Sequence, residues 1–127
     1  MATVPALEPL RGLHVVADPG ALNVAHWHGD AVTVLRFAPD DAFGLDARSV
    51  ELDDEHAIVE ADVGYVGAWL PIADVVPHLE WALPAERPIL AQGTISGVPA
   101  KLWLAGDGDA LLLTAAAFAD ELAGRLR

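Results

Sequence analysis

The chain has 127 residues, no cysteine, and 19 acidic against 7 basic side chains, a net charge of −12. That charge repels phosphate backbones and anionic lipid headgroups, which argues against nucleic-acid and membrane-surface partners. The missing thiols exclude disulfides, thiolate zinc sites and cysteine nucleophiles.

A length of 127 residues fits a single domain with a proper core, and 54% of the residues are hydrophobic, 24 of the chain being alanine. Met1–Arg11 holds Pro5, Glu8 and Pro9 and reads as an irregular lead-in rather than a signal peptide. Leu13–Ala17 reads as a short strand ended by the turn signal Asp18-Pro19-Gly20. Asn23–His28 and Ala31–Ala38 read as two strands joined in a hairpin at Gly29-Asp30. Pro39-Asp40-Asp41 opens a turn or one helical turn, and Ala57–Glu60 and Tyr65–Leu70 are apolar enough for buried strands.

Leu70-Pro71 starts a short middle helix, with Pro71 at its first position, Asp74 in its first turn and Pro77 at its end. His78–Leu83 alternates, placing Leu79, Trp81 and Leu83 on one face of a strand. A meander follows: Ile89–Ile95, a turn at Ser96–Pro99, Lys101–Ala105, a turn at Gly106–Asp109, and Ala110–Thr114. Ala115–Leu126 is an amphipathic helix whose Phe118, Leu122 and Leu126 recur every four residues. The expected fold is therefore α+β: antiparallel sheet with a short middle helix and a C-terminal amphipathic helix.

Charge is uneven along the chain. Nine acids and only Arg48 fall between Asp40 and Asp62, a net of −8, which leaves −4 for everything else. A solvated acidic loop is the expectation for this stretch, because Leu52-Asp53-Asp54-Glu55 lacks the alternate spacing and internal glycine of a calcium loop.

The sharpest chemical constellation is His26-Trp27-His28-Gly29-Asp30. On a strand His26 and His28 share a face and could hold one metal, with Asp30 as an oxygen ligand. A cupin-like pattern needs Glu where Val32 and Thr33 stand, and a metallo-β-lactamase-like pattern needs His where Ala31 stands. Two imidazoles without a third ligand bind metal weakly, so strand histidines beside a turn are the plainer reading. Ser96 does not sit in a G-x-S-x-G frame, and Lys101, the one lysine, reads as a strand-edge residue. Gly106-Asp107-Gly108 lies between strands and carries acids, which suits a hairpin turn better than a phosphate cradle. No catalytic residue and no metal site is assigned.

Two stretches carry a family likeness. Arg36-Phe37-Ala38-Pro39-Asp40-Asp41-Ala42-Phe43 resembles a "GPDEWLL"-like segment of aminomethyltransferase-related folds. Leu90-Ala91-Gln92-Gly93-Thr94, Val98-Pro99-Ala100-Lys101-Leu102-Trp103 and Leu111–Leu126 resemble the C-terminal end of the γ subunit of heterotetrameric sarcosine oxidase. That end has an "AQT…VPV" stretch, an apolar hairpin and a closing helix, with Phe118-Ala119 here at its aromatic-alanine pair. The resemblance implies a small α+β subunit related to half of a folate-binding aminomethyltransferase, with no flavin, NAD or zinc of its own. It implies a non-catalytic accessory role, exercised through larger protein subunits or self-association, with no cofactor; a cytoplasmic home follows as the default for a chain without cysteine. A small metal-binding protein using His26 and His28, and a folate or small-molecule binding module, stand as alternatives.

Overall fold

The computed structural model describes residues 6–61, 64–106 and 108–126. In chain order the elements are β1 (Glu8–Pro9), β2 (Gly12–Val16), α1 (Pro19–Asn23), β3 (His26–Ala38), β4 (Asp41–Glu51) and β5 (Ile58–Ala61). They continue with β6 (Tyr65–Pro71), α2 (Ile72–Val75), β7 (Ile89–Ile95), β8 (Val98–Leu104), β9 (Asp109–Ala115) and α3 (Ala119–Arg125). Short 3-10 turns at Val76–His78 and Ala116–Phe118 extend α2 and precede α3. The class is α+β, as expected, with strands making up most of the regular structure.

The chain divides into two compact units, one running from Leu10 and the other made of the N-terminal residues up to Pro9 with those from Gly64 onward. In the first, an antiparallel sheet has the order β3-β4-β2-β5. Its centre is β4, where Ala42, Phe43, Gly44, Leu45 and Ala47 are buried. Consecutive strand residues point to opposite faces, so β4 is dry on both. Val15, Ala17, Leu22 and Ala42 form a core cluster with Leu13, Trp27 and Val50 packed against it. Trp27 packs against Gly44, where an added Cβ would overlap the indole.

The short helix α1 is capped by Asp18, whose carboxylate accepts from the Ala21 N–H at 3.1 Å, with Pro19 pre-set at its start. Arg36 ties this helix to the β3–β4 turn. Its guanidinium donates to the Pro39 carbonyl at 2.6 Å, to Asn23 Oδ1 at 3.0 Å and to the Pro19 carbonyl at 3.2 Å.

In the second unit the sheet order is β1-β6-β9-β8-β7, all neighbours antiparallel. Its centre, β9, is again dry on both faces, with Ala110, Leu111, Leu112 and Leu113 fully buried. Thr114, buried too, donates its hydroxyl to the Pro99 carbonyl at 2.8 Å. Leu70, Val75, Ile95, Leu102, Leu104, Leu112, Leu122 and Leu126 belong to one core cluster. β7 and β8 are joined by the two residues Ser96 and Gly97, both at positive φ (49° and 82°), the backbone of a tight hairpin. Glu80 holds that turn by accepting from Thr94 Oγ1 at 2.8 Å and from the Gly97 N–H, and Arg125 donates to the Ser96 carbonyl at 2.8 Å.

Several expectations are corrected. The supposed hairpin at Gly29-Asp30 is a bulge inside the single long strand β3, both halves of which pair with β4. The acidic stretch is not a loop: it contains the central strand β4 and the edge strand β5. β5 exists where expected but is exposed at all four residues rather than buried. Part of the lead-in forms β1, while residues 1–5 lie outside the described residues. Asp18-Pro19-Gly20 begins a helix, and Pro71 flanks α2 as its N-cap instead of entering it. His78–Leu83 makes no strand, only the bridge Leu79–Ile95, although Leu79, Trp81 and Leu83 do pack on the core. Val98 and Pro99 lie in β8, where Pro99 precedes the β8–β9 ladder that starts at Lys101 and so breaks no bond in it. The last helix starts at Ala119, and Phe118 is 36% exposed instead of joining Leu122 and Leu126.

The Gly44–Trp27 contact is directly testable. Gly44→Ala forces the indole off the sheet and is expected to cost about 1–3 kcal/mol in urea unfolding. Gly108→Ala, where no atom lies within 4 Å of the new methyl, should stay within about 0.5 kcal/mol of wild type.

Candidate functional site

The most irregular backbone lies in the first unit, where β3 bulges against β4. Gly29 faces Ala47, yet the next paired residue, Thr33, faces Leu45, so Asp30, Ala31 and Val32 oppose Asp46 alone. Ala31 and Asp46 both adopt positive φ, 54° and 67°, which costs an ordinary L-residue about 1–3 kcal/mol each. The strands approach so closely that a side chain at Gly29 would run into the Asp46 carbonyl. The Asp46 N–H is satisfied by the Arg11 carbonyl at 2.8 Å, which fixes the bulge to the chain entering β2.

Beside the bulge lies an open hollow of about 570 Å³, lined among others by Arg11, Gly12, Asp30, Asp46 and Arg48. Arg48 approaches Asp30 at 3.6 Å, with both side chains mostly in water. Two guanidiniums and two carboxylates thus share one concavity, and a charged small molecule could pair with either kind. The charges balance, so no net field draws an anion in. None of these groups has the buried setting that activates an acid, base or nucleophile.

His26 and His28 do share a face of β3, and both are exposed. His28 Nε2 stands 3.6 Å from Glu51 Oε1, with the two side chains 54% and 75% exposed. His26 lines a second, shallower hollow of about 490 Å³ with Val24, Glu51, Leu52 and Asp53. Asp30, the oxygen donor expected from sequence, sits with Arg48 instead. The structure substitutes Glu51, which is the cross-strand partner of His26. Only the register of β4 reveals that pairing, and β4 is the strand sequence reasoning missed. Among the described residues no group of three His, Cys, Asp or Glu side chains is placed to hold a metal ion. Ser96 occupies the β7–β8 turn, and Lys101 sits within β8 opposite Gln92 and Leu113.

The acidic segment after β4 is organised by Asp54. Its carboxylate accepts from the Asp18 N–H at 2.8 Å and from the His56 N–H at 2.9 Å. The bond from Asp18, then that from His56, holds the carboxyl below the usual carboxylate range, because each favours the ionised form. A lowered folded-state pKa adds stability above the unfolded-state value and loses it as pH falls through the folded value.

Two outcomes follow from this geometry. Acidification below the carboxylate range should speed hydrogen exchange at the Asp18 and His56 amides, after correction for intrinsic rates, and Asp54→Asn should abolish that pH dependence. Elemental analysis of purified protein should find well under one equivalent of transition metal, unchanged by His28→Ala. A stoichiometric metal lost in His28→Ala would contradict the geometry.

No protein-family model and no curated protein sequence matches the chain. Its structure is similar to a chain of the heterotetrameric sarcosine oxidase from Corynebacterium sp. U-96, solved in complex with pyrrole 2-carboxylate. The match has a TM-score of 0.68 at 17% identity and covers 94% of this chain and 78% of that one. At that identity the likeness establishes the fold, which is the fold of a chain in a multi-subunit oxidase.

Proposed function

We propose that this chain is an accessory subunit, working by contact with larger protein subunits and contributing no catalytic group. The observation that carries the reading is the fold likeness across 94% of the chain to a component of a heterotetramer. The sequence resemblance to a sarcosine oxidase γ subunit points to the same enzyme from different evidence. In the finer form of the proposal, the partner subunits make an oxidoreductase of that kind and bring whatever cofactors it uses.

Surface composition supports a contact role. Val24, Val34, Ile58 and Val59 in one unit, and Trp69, Val76 and Phe118 in the other, are large apolar side chains more than a third exposed. Aromatic and aliphatic anchors of this kind dominate the energetics of interfaces. A chain without cysteine also suits a reducing cytoplasm. No helix among the described residues is long and apolar enough to cross a membrane.

Tagging the chain at its own locus and purifying it at native expression tests the proposal. One or more larger chains should co-elute at fixed stoichiometry and survive a salt wash. Elution of the tagged chain alone, at every salt concentration, would remove the subunit reading.

A further inference from the structure

The edge strand β5 presents a docking surface, and this inference rests on the subunit reading above. Its inner edge pairs with β2 in four registered steps, from Leu13–Ala61 to Val16–Ile58. Its outer edge carries no ladder among the described residues. Ile58 and Val59 are 55% and 45% exposed, and as neighbours on a strand they point to opposite faces. So β5 is bare on both faces and along one edge, yet holds two β-branched apolar side chains suited to a strand with a neighbour on each side.

The other sheet edges are blunted. β1 is two residues long and ends in Pro9, which has no N–H to offer. β7 is bridged through Ile95 by Leu79 and overlaid by Trp81, which sits 2.9 Å from where a Cβ on Gly93 would be. β3 is broken by the bulge at Gly29–Val32. Among the described residues no comparable proline, bulge or bridging segment blocks β5.

Charge selects the occupant. β5 lies within the residue 40–62 stretch of net −8, with Asp53, Asp54 and Glu55 just before it and Glu60 inside it. A second copy adding edge to edge would set these acids against their own kind, and opposed like charges destabilise a strand pair. A basic partner strand finds the opposite. We propose that β5 accepts an extended, lysine- or arginine-bearing segment of a partner chain, which joins the sheet as an additional strand. Main-chain hydrogen bonds would supply affinity, and the acids would supply selection and speed of encounter.

The probe is a short peptide of alternating lysine and valine, added to the full chain while hydrogen exchange is followed at Ile58–Ala61. Exchange there should slow by about tenfold or more, an effect that fades as salt screens the acids. A lysine–proline peptide with the same number of lysines, each separated by two prolines, has the same charge but leaves at most one N–H in three along either edge, and should give no protection. Val59→Lys, at an exposed position, should weaken the lysine–valine effect about tenfold while leaving β2 amides unchanged. No protection by the lysine–valine peptide, or equal protection by the lysine–proline one, would overturn the proposal. Protection of β5 that rises with protein concentration without peptide would overturn it too, in favour of a second copy. If a native partner co-purifies equally with wild type and Val59→Lys, the edge assignment fails and the subunit reading stands. If nothing co-purifies with wild type, the subunit reading fails whatever the peptides do.

Discussion

A strand kept from water on both faces has to be hydrogen-bonded along both edges, because its backbone has nowhere else to place its donors and acceptors. Each unit is organised by one such strand. β9 runs between β6 and β8 with Ala110–Thr114 buried, and β4 runs between β2 and β3 with Phe43 and its neighbours buried. The sheet orders, the flanking core clusters and the positions of the edges follow from seating these two strands. In the first unit the requirement is met at close quarters. Gly12 approaches the Gly44 carbonyl, Trp27 lies on Gly44, and Gly29 meets the Asp46 carbonyl, contacts that leave no room for a side chain.

The two central strands were not equally legible in the sequence. Ala110–Leu113 is an unbroken apolar run just after the Gly106–Asp109 turn residues, the mark of a doubly buried strand, and Ala110–Thr114 reads as one. Asp41–Glu51 is buried over Ala42–Leu45 but carries Asp41, Asp46, Arg48 and Glu51, so its charge reads as loop. Asp46, Arg48 and Ser49 point to water at the bulge and beyond it, while Ala42–Leu45 carries the burial. A period-two test fails on such a strand because it is buried at one end and half-exposed at the other. The Gly29-Asp30 pair misleads for a related reason, since bulges and hairpin turns draw on the same residues. In His78–Leu83 the alternation named the right inward side chains, yet alternation alone does not supply a ladder. The pairing of His26 with Glu51, and the separation of Asp30 from them, depend on register and had no local signal.

The acidity of the chain takes on a different meaning once placed. Residues 40–62 hold two-thirds of the net charge, −8 of −12, and they contain the strands β4 and β5 rather than a solvated loop alone. One of the acids, Asp54, is spent on backbone amides that hold the segment between β4 and β5 against the start of α1. Arg11 and Arg48 meet Asp30 and Asp46 at the bulge, a balanced group with no side chain driven toward catalysis. On the proposal above, the recognition surfaces are an acidic strand edge in one unit and the exposed Trp69, Val76 and Phe118 in the other.

A fold shared with a chain of a heterotetrameric oxidase, on a sequence without a catalytic motif, makes assembly the central claim. The most direct measurement is the native mass of the particle that carries this chain in an undisrupted extract of its source, detected without a tag. The account predicts a particle far heavier than the 13.3 kDa chain, containing it with larger subunits. A free species at the mass of the chain alone, with none in heavier fractions, would contradict it.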